Sequence, residues 1–201
     1  MLVSDIKSRP LYSRLRLDPA GQRHLVISDA ARPLEDVIDG AQETQAPIAF
    51  WTVLGRDDID SAPNPHPLPT NGAPIETRAF RAASHLFDRL DHRLAQESVG
   101  LRLYVMGKEG FIWDVMRRSR AAGLEADECL SMHAGSLSRR VFCVHCKTMN
   151  ERVTLSIAAC TGCGAQMVVR DHFSKRLAAF MGVKADAEVA GELPPIEELF
   201  P

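Results

Sequence analysis

Several things are missing from this sequence of 201 residues, and each absence excludes a class of protein. There is no run of eighteen apolar residues, so no membrane-spanning helix is expected. The first residues, Met1-Leu-Val-Ser-Asp-Ile-Lys7, have no apolar signal core and no cleavage pattern, so export is not expected. Neither a Gly-x-Gly-x-x-Gly loop nor a P-loop occurs, which removes the usual backbone cradles for nucleotide phosphates. The seven histidines are scattered, none in a His-x-x-x-His pair, and no Ser-His-Asp set can be assembled. A net charge of −2 gives no electrostatic case for nucleic acid or an anionic membrane. No internal repeat is visible.

Five cysteines are present, and four of them carry the chemistry. Cys143-Val-His-Cys146 and Cys160-Thr-Gly-Cys163 are two Cys-x-x-Cys knuckles, separated by thirteen residues. Two such knuckles complete a tetrahedron of thiolates around one metal, with Cys143, Cys146, Cys160 and Cys163 as ligands. Gly162 and Gly164 are expected to take positive φ, so that backbone N–H groups can point at sulfur. Four thiolates suit zinc, which would be structural, and equally a single iron, which would carry one electron; the spacing by itself favours zinc. His145 lies inside the first knuckle and reads as a solvated residue rather than a ligand. The remaining Cys129, in Glu128-Cys-Leu-Ser-Met132, reads as a small buried apolar residue. Reduced thiols without a signal peptide point to the cytoplasm.

Around the knuckles, Arg152–Ile157 and Gln166–Arg170 alternate like strands, giving a zinc-ribbon or rubredoxin-like hairpin over residues 136–170. Residues 171–201 are expected to form a short helix, with Phe173, Leu177, Phe180 and Met181 on one face, followed by an acidic tail. That tail holds five acids against Lys184 alone, while residues 136–180 hold seven Lys or Arg against two acids. Too few apolar residues occupy the tail for it to fold unaided, so it reads as an arm that orders on a partner.

Residues 1–135, with 45% hydrophobic composition over the chain, read as one α/β domain. Leu11, Leu15 and Leu17 interleave with arginines as an edge strand or arm. His24–Ile27 is a short buried strand, Pro33 to about Ala41 a helix, and Pro47–Leu54 the clearest strand. Residues 60–75 hold five prolines and form an extended loop. A long helix is expected from about Glu76 to Gln96, then a strand at Leu101–Met106, a tight turn, a helix from Phe111 to Ala122 stopped by Gly123, and a strand over 127–132. Strands alternating with helices imply a mainly parallel sheet.

The stretch from Leu103 to Gly123 resembles the last strand–turn–helix of the NAD(P)H-binding half of ferredoxin reductase-like flavoproteins. The resemblance implies a Rossmann-like fold. That family has a Cys-Gly-Pro turn facing the nicotinamide, where this sequence has Met106-Gly107-Lys108. Its glycine-rich loop would fall on Ile27 to Leu34, where only Pro33-Leu34 is retained. Ala30, Ala31 and Arg32 crowd the place a pyrophosphate would occupy, and Asp29 would repel it. The domain is therefore read as degenerate, with NAD(P)H not expected to bind.

A second resemblance covers the last third closely and the middle loosely. Phe142-Cys-Val-His-Cys146, Cys160-Thr-Gly-Cys-Gly164, Val169 to Gly182 and Asp186-Ala-Glu188 look like the C-terminal part of the small DmmA-type subunit of bacterial dimethylamine monooxygenase. This resemblance implies a subunit of a haem-dependent oxidative N-demethylase. Its partners would supply a haem and a flavin/iron–sulfur reductase module fed by NADPH. The chain would then be an electron-transfer or bracing subunit, not active alone. The alternative is a zinc-ribbon adaptor for protein or nucleic acid. The basic stretch permits that, but stacking aromatics are scarce there, so nucleic acid is not expected.

Overall fold

The computed structural model describes residues 8–29, 38–54, 72–189 and 191–201. Contacts divide the chain into two compact units, one spanning Tyr12–Gly135 and the other joining the described residues up to Leu11 with Ser136–Pro201.

The first unit is built on five parallel strands. These are β2 (Arg23–Ser28), β4 (Ile48–Val53), β5 (Ile75–Phe80), β6 (Leu101–Gly107) and β7 (Cys129–His133), in the spatial order β5-β4-β2-β6-β7. Two short strands, β1 (Leu15–Arg16) and β3 (Ile38–Asp39), pair in parallel beside it. Helices α1 (Ala83–Leu94) and α2 (Glu109–Ala121) complete the unit. A parallel sheet must be covered on both faces, so its inner strands are apolar throughout. In β2 every residue after Arg23 is buried. Val26, Phe50, Tyr104 and Met106 share one face with Leu15, Leu17 and Ile38. The alternate residues Leu25, Ile27, Leu103 and Val105 are fully buried together with Leu86 and Leu90 of α1 and Ile112 and Val115 of α2. Each such side chain contributes about 1.5–3 kcal/mol relative to an exposed one.

Two sequence expectations change here. The helix expected from Glu76 begins only at Ala83, because residues 75–80 are an edge strand paired with β4 from Ile48↔Ile75 to Val53↔Phe80. Glu76, Thr77 and Arg78 offer no apolar face for a helix to bury, and the free edge of β4 is available. The Arg78 Nε–H donates to Glu76 Oε1 at 2.5 Å, an i,i+2 contact that strands permit and helices do not. Ala82, extended at φ −150°, separates strand from helix. The helix expected over Pro33–Ala41 falls mostly outside the described residues, and its end, Ile38–Asp39, is strand. Most of the proline-rich loop also lies outside them.

The second unit is also a five-stranded sheet, of a different kind. Strands β8 (Arg139–Cys143), β9 (Met149–Val153), β10 (Ile157–Ala159), β11 (Gln166–Ser174) and β12 (Ala179–Lys184) take the order β10-β11-β12-β8-β9. All neighbours are antiparallel except β12 and β8.

The short helix expected after Asp171 is instead the β11–β12 hairpin. Phe173 pairs with Phe180 across it, ring centroids 5.0 Å apart and edge to face, and Ala178 turns the chain at φ 52°. Apolar residues seven apart suit a helix stripe, and they equally suit two positions facing each other across a tight turn. Gly182 is not a helix stop but a packing site: a Cβ there would lie 2.7 Å from Val141 Cγ1 and 2.9 Å from Met167 Sδ.

Nor is the tail an unattached arm in its last residues. Leu155 bridges Glu198, and the Leu199 and Phe200 N–H groups donate to the Thr154 carbonyl at 3.1 and 2.9 Å. Phe200 is 6% exposed and lies against the Arg139 guanidinium, 3.7 Å from its ring centroid, with Phe180 on the other side at 3.9 Å. Asp171 accepts from Arg139 and from Arg9, both at 2.7 Å. Two aromatic faces and a carboxylate around one buried arginine hold the C-terminus down, which net composition could not foretell.

Candidate metal centre

Cys143 ends β8 and Cys160 follows β10, and each opens the same tight turn. The Lys147 N–H donates to the Cys143 carbonyl and the Gly164 N–H to the Cys160 carbonyl, both at 2.9 Å. Cys143 N–H then donates to the Thr148 carbonyl, and Cys160 N–H to the Ala165 carbonyl, again both at 2.9 Å. The knuckles are thus two copies of one backbone motif. Its fifth position is left-handed: φ is 67° at Lys147 and 73° at Gly164. Positive φ, expected at both glycines, occurs only at Gly164. Gly162 is required for another reason, since a Cβ there would lie 2.1 Å from Thr148 Oγ1 in the first knuckle.

This arrangement brings the four sulfurs of Cys143, Cys146, Cys160 and Cys163 within 4.8 Å of one another. Cys143 Sγ lies 3.9 Å from Cys163 Sγ, and Cys146 Sγ lies 3.5 Å from Cys160 Sγ. Metal–sulfur bonds of about 2.3 Å in a tetrahedron would place sulfurs about 3.8 Å apart. Cys143 and Cys160 are buried, Cys146 is half-buried and Cys163 is exposed.

The thiols do not ionise alike. Burial opposes the Cys160 thiolate, but the N–H groups of Cys163 and Gly162, with Cys146 and Asn150, bring its pKa down to about 6. Thr148, through its hydroxyl and then its N–H, holds Cys146 below the usual thiol range. Cys163 is pushed up to about 12; the Ala165 N–H favours its thiolate, and Cys146, burial, Cys160 and Cys143 together outweigh that. Once one thiolate forms, it repels the next, and a cation among them removes that repulsion. The donor set fits one thiophilic cation and can hold zinc or iron.

Asn150 is the residue that sequence reasoning missed. It is 3% exposed, and its side chain joins the two knuckles. Its Oδ1 accepts from the N–H and hydroxyl of Thr161 at 2.8 and 3.0 Å. Its Nδ2 donates to the Val141 and Thr148 carbonyls, both at 3.3 Å, and lies 3.7 Å from Cys160 Sγ. A polar residue in a strand of otherwise mostly exposed positions gives no signal that it points inward. His145 is exposed. Cys129 lies in the other unit, where burial pushes its thiol up to about 12.

The loop tested for phosphate binding is described up to Asp29. That residue stands where β2 and β6, neighbours in the sheet, both end. Its Oδ1 accepts the Lys108 N–H at 3.0 Å. A Cβ on Gly107, at φ 149°, would fall 1.8 Å from the same oxygen. Burial raises the Asp29 carboxyl to about 6, against the opposing pull of the Lys108 N–H and charge.

Two family models match this chain. That of the N-terminal domain of dimethylamine monooxygenase subunit DmmA-like proteins covers residues 4–129, and that of their C-terminal domain covers residues 140–183, which include all four cluster cysteines. Over 181 residues, 90% of each chain, the sequence is 38% identical to the heme-dependent oxidative N-demethylase delta subunit of Ectopseudomonas mendocina (strain ymp). No solved structure matches the chain significantly. With both halves matched and a relative similar along nearly its whole length, the chain belongs to the dimethylamine monooxygenase subunit DmmA-like family.

Proposed function

We propose that this chain is a non-catalytic or electron-transfer subunit of a haem-dependent oxidative N-demethylase, a multi-subunit dimethylamine monooxygenase driven by NADPH. The observation that carries this reading is 38% identity across 90% of both chains to a delta subunit of such an enzyme. Partner subunits supply the haem and the flavin/iron–sulfur reductase. This chain brings one metal ion held by Cys143, Cys146, Cys160 and Cys163. Bound iron would supply one-electron chemistry there, and bound zinc a rigid cross-link.

The α/β unit, Tyr12–Gly135, is read as a degenerate Rossmann-like platform. Outward from β2 the strands run β4 and β5 on one side and β6 and β7 on the other, a doubly wound order that supports this reading. Ligands of such sheets bind at the carboxyl ends of the strands where the order reverses, here between β2 and β6. Asp29 occupies that crevice with a carboxylate, which supports the reading that NAD(P)H is bound elsewhere in the complex. The paired knuckle turns support a rubredoxin-like or zinc-ribbon module in the second unit. A four-thiol site of this kind suits the reducing cytoplasm.

The test is reconstitution. The chain is purified alone and with its co-expressed neighbours, its metal is quantified and its visible spectrum recorded, and NADPH-driven dimethylamine demethylation is measured with and without it. Demethylation is expected to fall when the chain is left out. Activity of the other subunits undiminished without it would remove the subunit role. Iron that is present but never reduced during turnover would remove only the relay.

A further inference from the structure

Beside the sulfur cluster runs a groove of about 880 Å³. Val144 and His145 of the first knuckle, Val168 and Arg170 of β11 and Val183 of β12 form one wall. Residues 187–189 and 192–195 form the other wall, a strap. The strap is fastened at both ends: Ala185 N–H donates to the Gln166 carbonyl at 2.7 Å, and Ser156 N–H donates to the Glu197 carbonyl at 2.8 Å. Between these points, among the described residues, Glu192 N–H donates to the Val189 carbonyl and Gly191 N–H to Asp186 Oδ2, both at 3.2 Å, and Asp186 pairs with Lys184 of β12 at 3.3 Å. The space between the strap residues and the sheet is open.

Arg170 differs from the other two arginines of this sheet that are not exposed. Arg139 is bound to Asp171 and Arg140 to Glu151. The Nε of Arg170 is buried and has no hydrogen-bond partner, and among the described residues no ion pair reaches its guanidinium. Glu188 and Glu192 line the strap side of the groove without pairing with it. A carboxylate in the groove would pair the charge of this guanidinium. Its two terminal nitrogens, which are not sealed off as Nε is, form a fork that receives a carboxylate by two parallel hydrogen bonds.

The apolar surface also continues out of the groove. Val189, Leu193 and Ile196 are 57%, 43% and 56% exposed along the strap. A small molecule lodged beneath the strap would leave that rim wet, whereas a polypeptide lying across it would cover both rim and groove. We propose that the groove docks a segment of a partner subunit, apolar except for one aspartate or glutamate, whose carboxylate is received by Arg170. The proposal rests on the reading of this chain as a subunit of a complex. It seats the partner against the Cys143–Cys146 knuckle, because Val144 and His145 belong to both knuckle and groove.

The test uses the full chain and its co-expressed partner subunits. Arg170→Gln removes the cation, and Leu193→Glu places a repelling carboxylate on the rim at an exposed position where folding is not at stake. Each is expected to weaken the affinity for one partner subunit by about tenfold or more, with metal content and circular dichroism as in the native chain. A photoreactive residue at Val189 is expected to cross-link to an acid-bearing peptide of that subunit. Native affinity in both variants, or a cross-link only to a second copy of this chain, would overturn the docking site while leaving the subunit role intact. So would a small carboxylate retained under the strap and released on unfolding. Failure of the native chain to bind any partner subunit would remove the subunit role and the docking site together.

Discussion

In the α/β unit, strands β2 and β6 are apolar on both faces, and burial of those side chains accounts for their order. In the ribbon unit the strands alternate, as in Arg139 to Cys143, where only every second residue is buried. Its cohesion comes from discrete devices: four clustered sulfurs, Asn150 between the knuckles, and Arg139 between two aromatic rings and Asp171. A core built from many interchangeable apolar side chains loses stability gradually when one is cut back. A fold built on a few polar constructions depends on each of them.

The largest effect that would test this contrast is loss of the metal. A strong chelator or Cys160→Ser is expected to withdraw folding energy on the order of 10 kcal/mol from the ribbon unit alone. Both tryptophans, Trp51 and Trp113, lie in the α/β unit, so their fluorescence should persist while far-UV circular dichroism and protease resistance over 136–201 are lost. A single joint transition would break the comparison.

Next in size is Phe200→Ala, which strips one ring from Arg139 and opens the packed end of the ribbon unit. About 3 kcal/mol is expected, in the range for a buried phenylalanine, and it should lower the ribbon transition only. An unchanged melt would show that the C-terminus is not part of that unit's structure in solution.

On the α/β side, Asp29→Asn sharpens the contrast. The folded-state pKa of Asp29 is raised, so the folded state holds its proton longer than the unfolded chain does. The stability this carboxyl contributes is present at low pH and is lost as pH rises from about 4 to about 6. The asparagine variant should therefore equal the native protein below pH 4. Above pH 7 it should exceed it by roughly 1–3 kcal/mol, read as the difference between two denaturation series.

The smallest effects lie at the left-handed position of each knuckle. Gly164→Ala should cost about 1 kcal/mol, and nothing lies within 4 Å to obstruct the added methyl, so the cost is backbone strain. Lys147→Gly at the equivalent position should change stability in the opposite direction by up to about 1 kcal/mol, measured as metal-loaded thermal midpoints. Effects of the same sign would mean that the two turns are not energetically equivalent.

Much of the molecule was legible in the sequence. The paired knuckles predicted the sulfur cluster by spacing, and the apolar runs at His24–Ile27, Pro47–Leu54 and Leu101–Met106 mark the three inner strands of the parallel sheet. These features depend on neighbours in sequence, and a spacing of three residues is enough to bring two thiolates to one side of a turn. The helix readings over 76–80 and 171–182 fail for different reasons: residues 76–80 pair in parallel with β4 at the sheet edge, whereas in 171–182 helix periodicity and hairpin pairing can be satisfied by the same residues. The choice rests with the edge that a distant strand offers.

The sequence by itself determined the four clustered cysteines, the parallel α/β class and the family resemblance, because each is carried by local spacing or by a run of residue types. Only the tertiary structure decided that Asp29 closes the end of β2 against Gly107, that Asn150 ties one knuckle to the other, and that Arg139 finds Phe200 while the Nε of Arg170 finds no partner among the described residues. Each of these depends on which groups meet in space, and a buried polar group is stabilised or penalised by its partners, not by its own place in the chain.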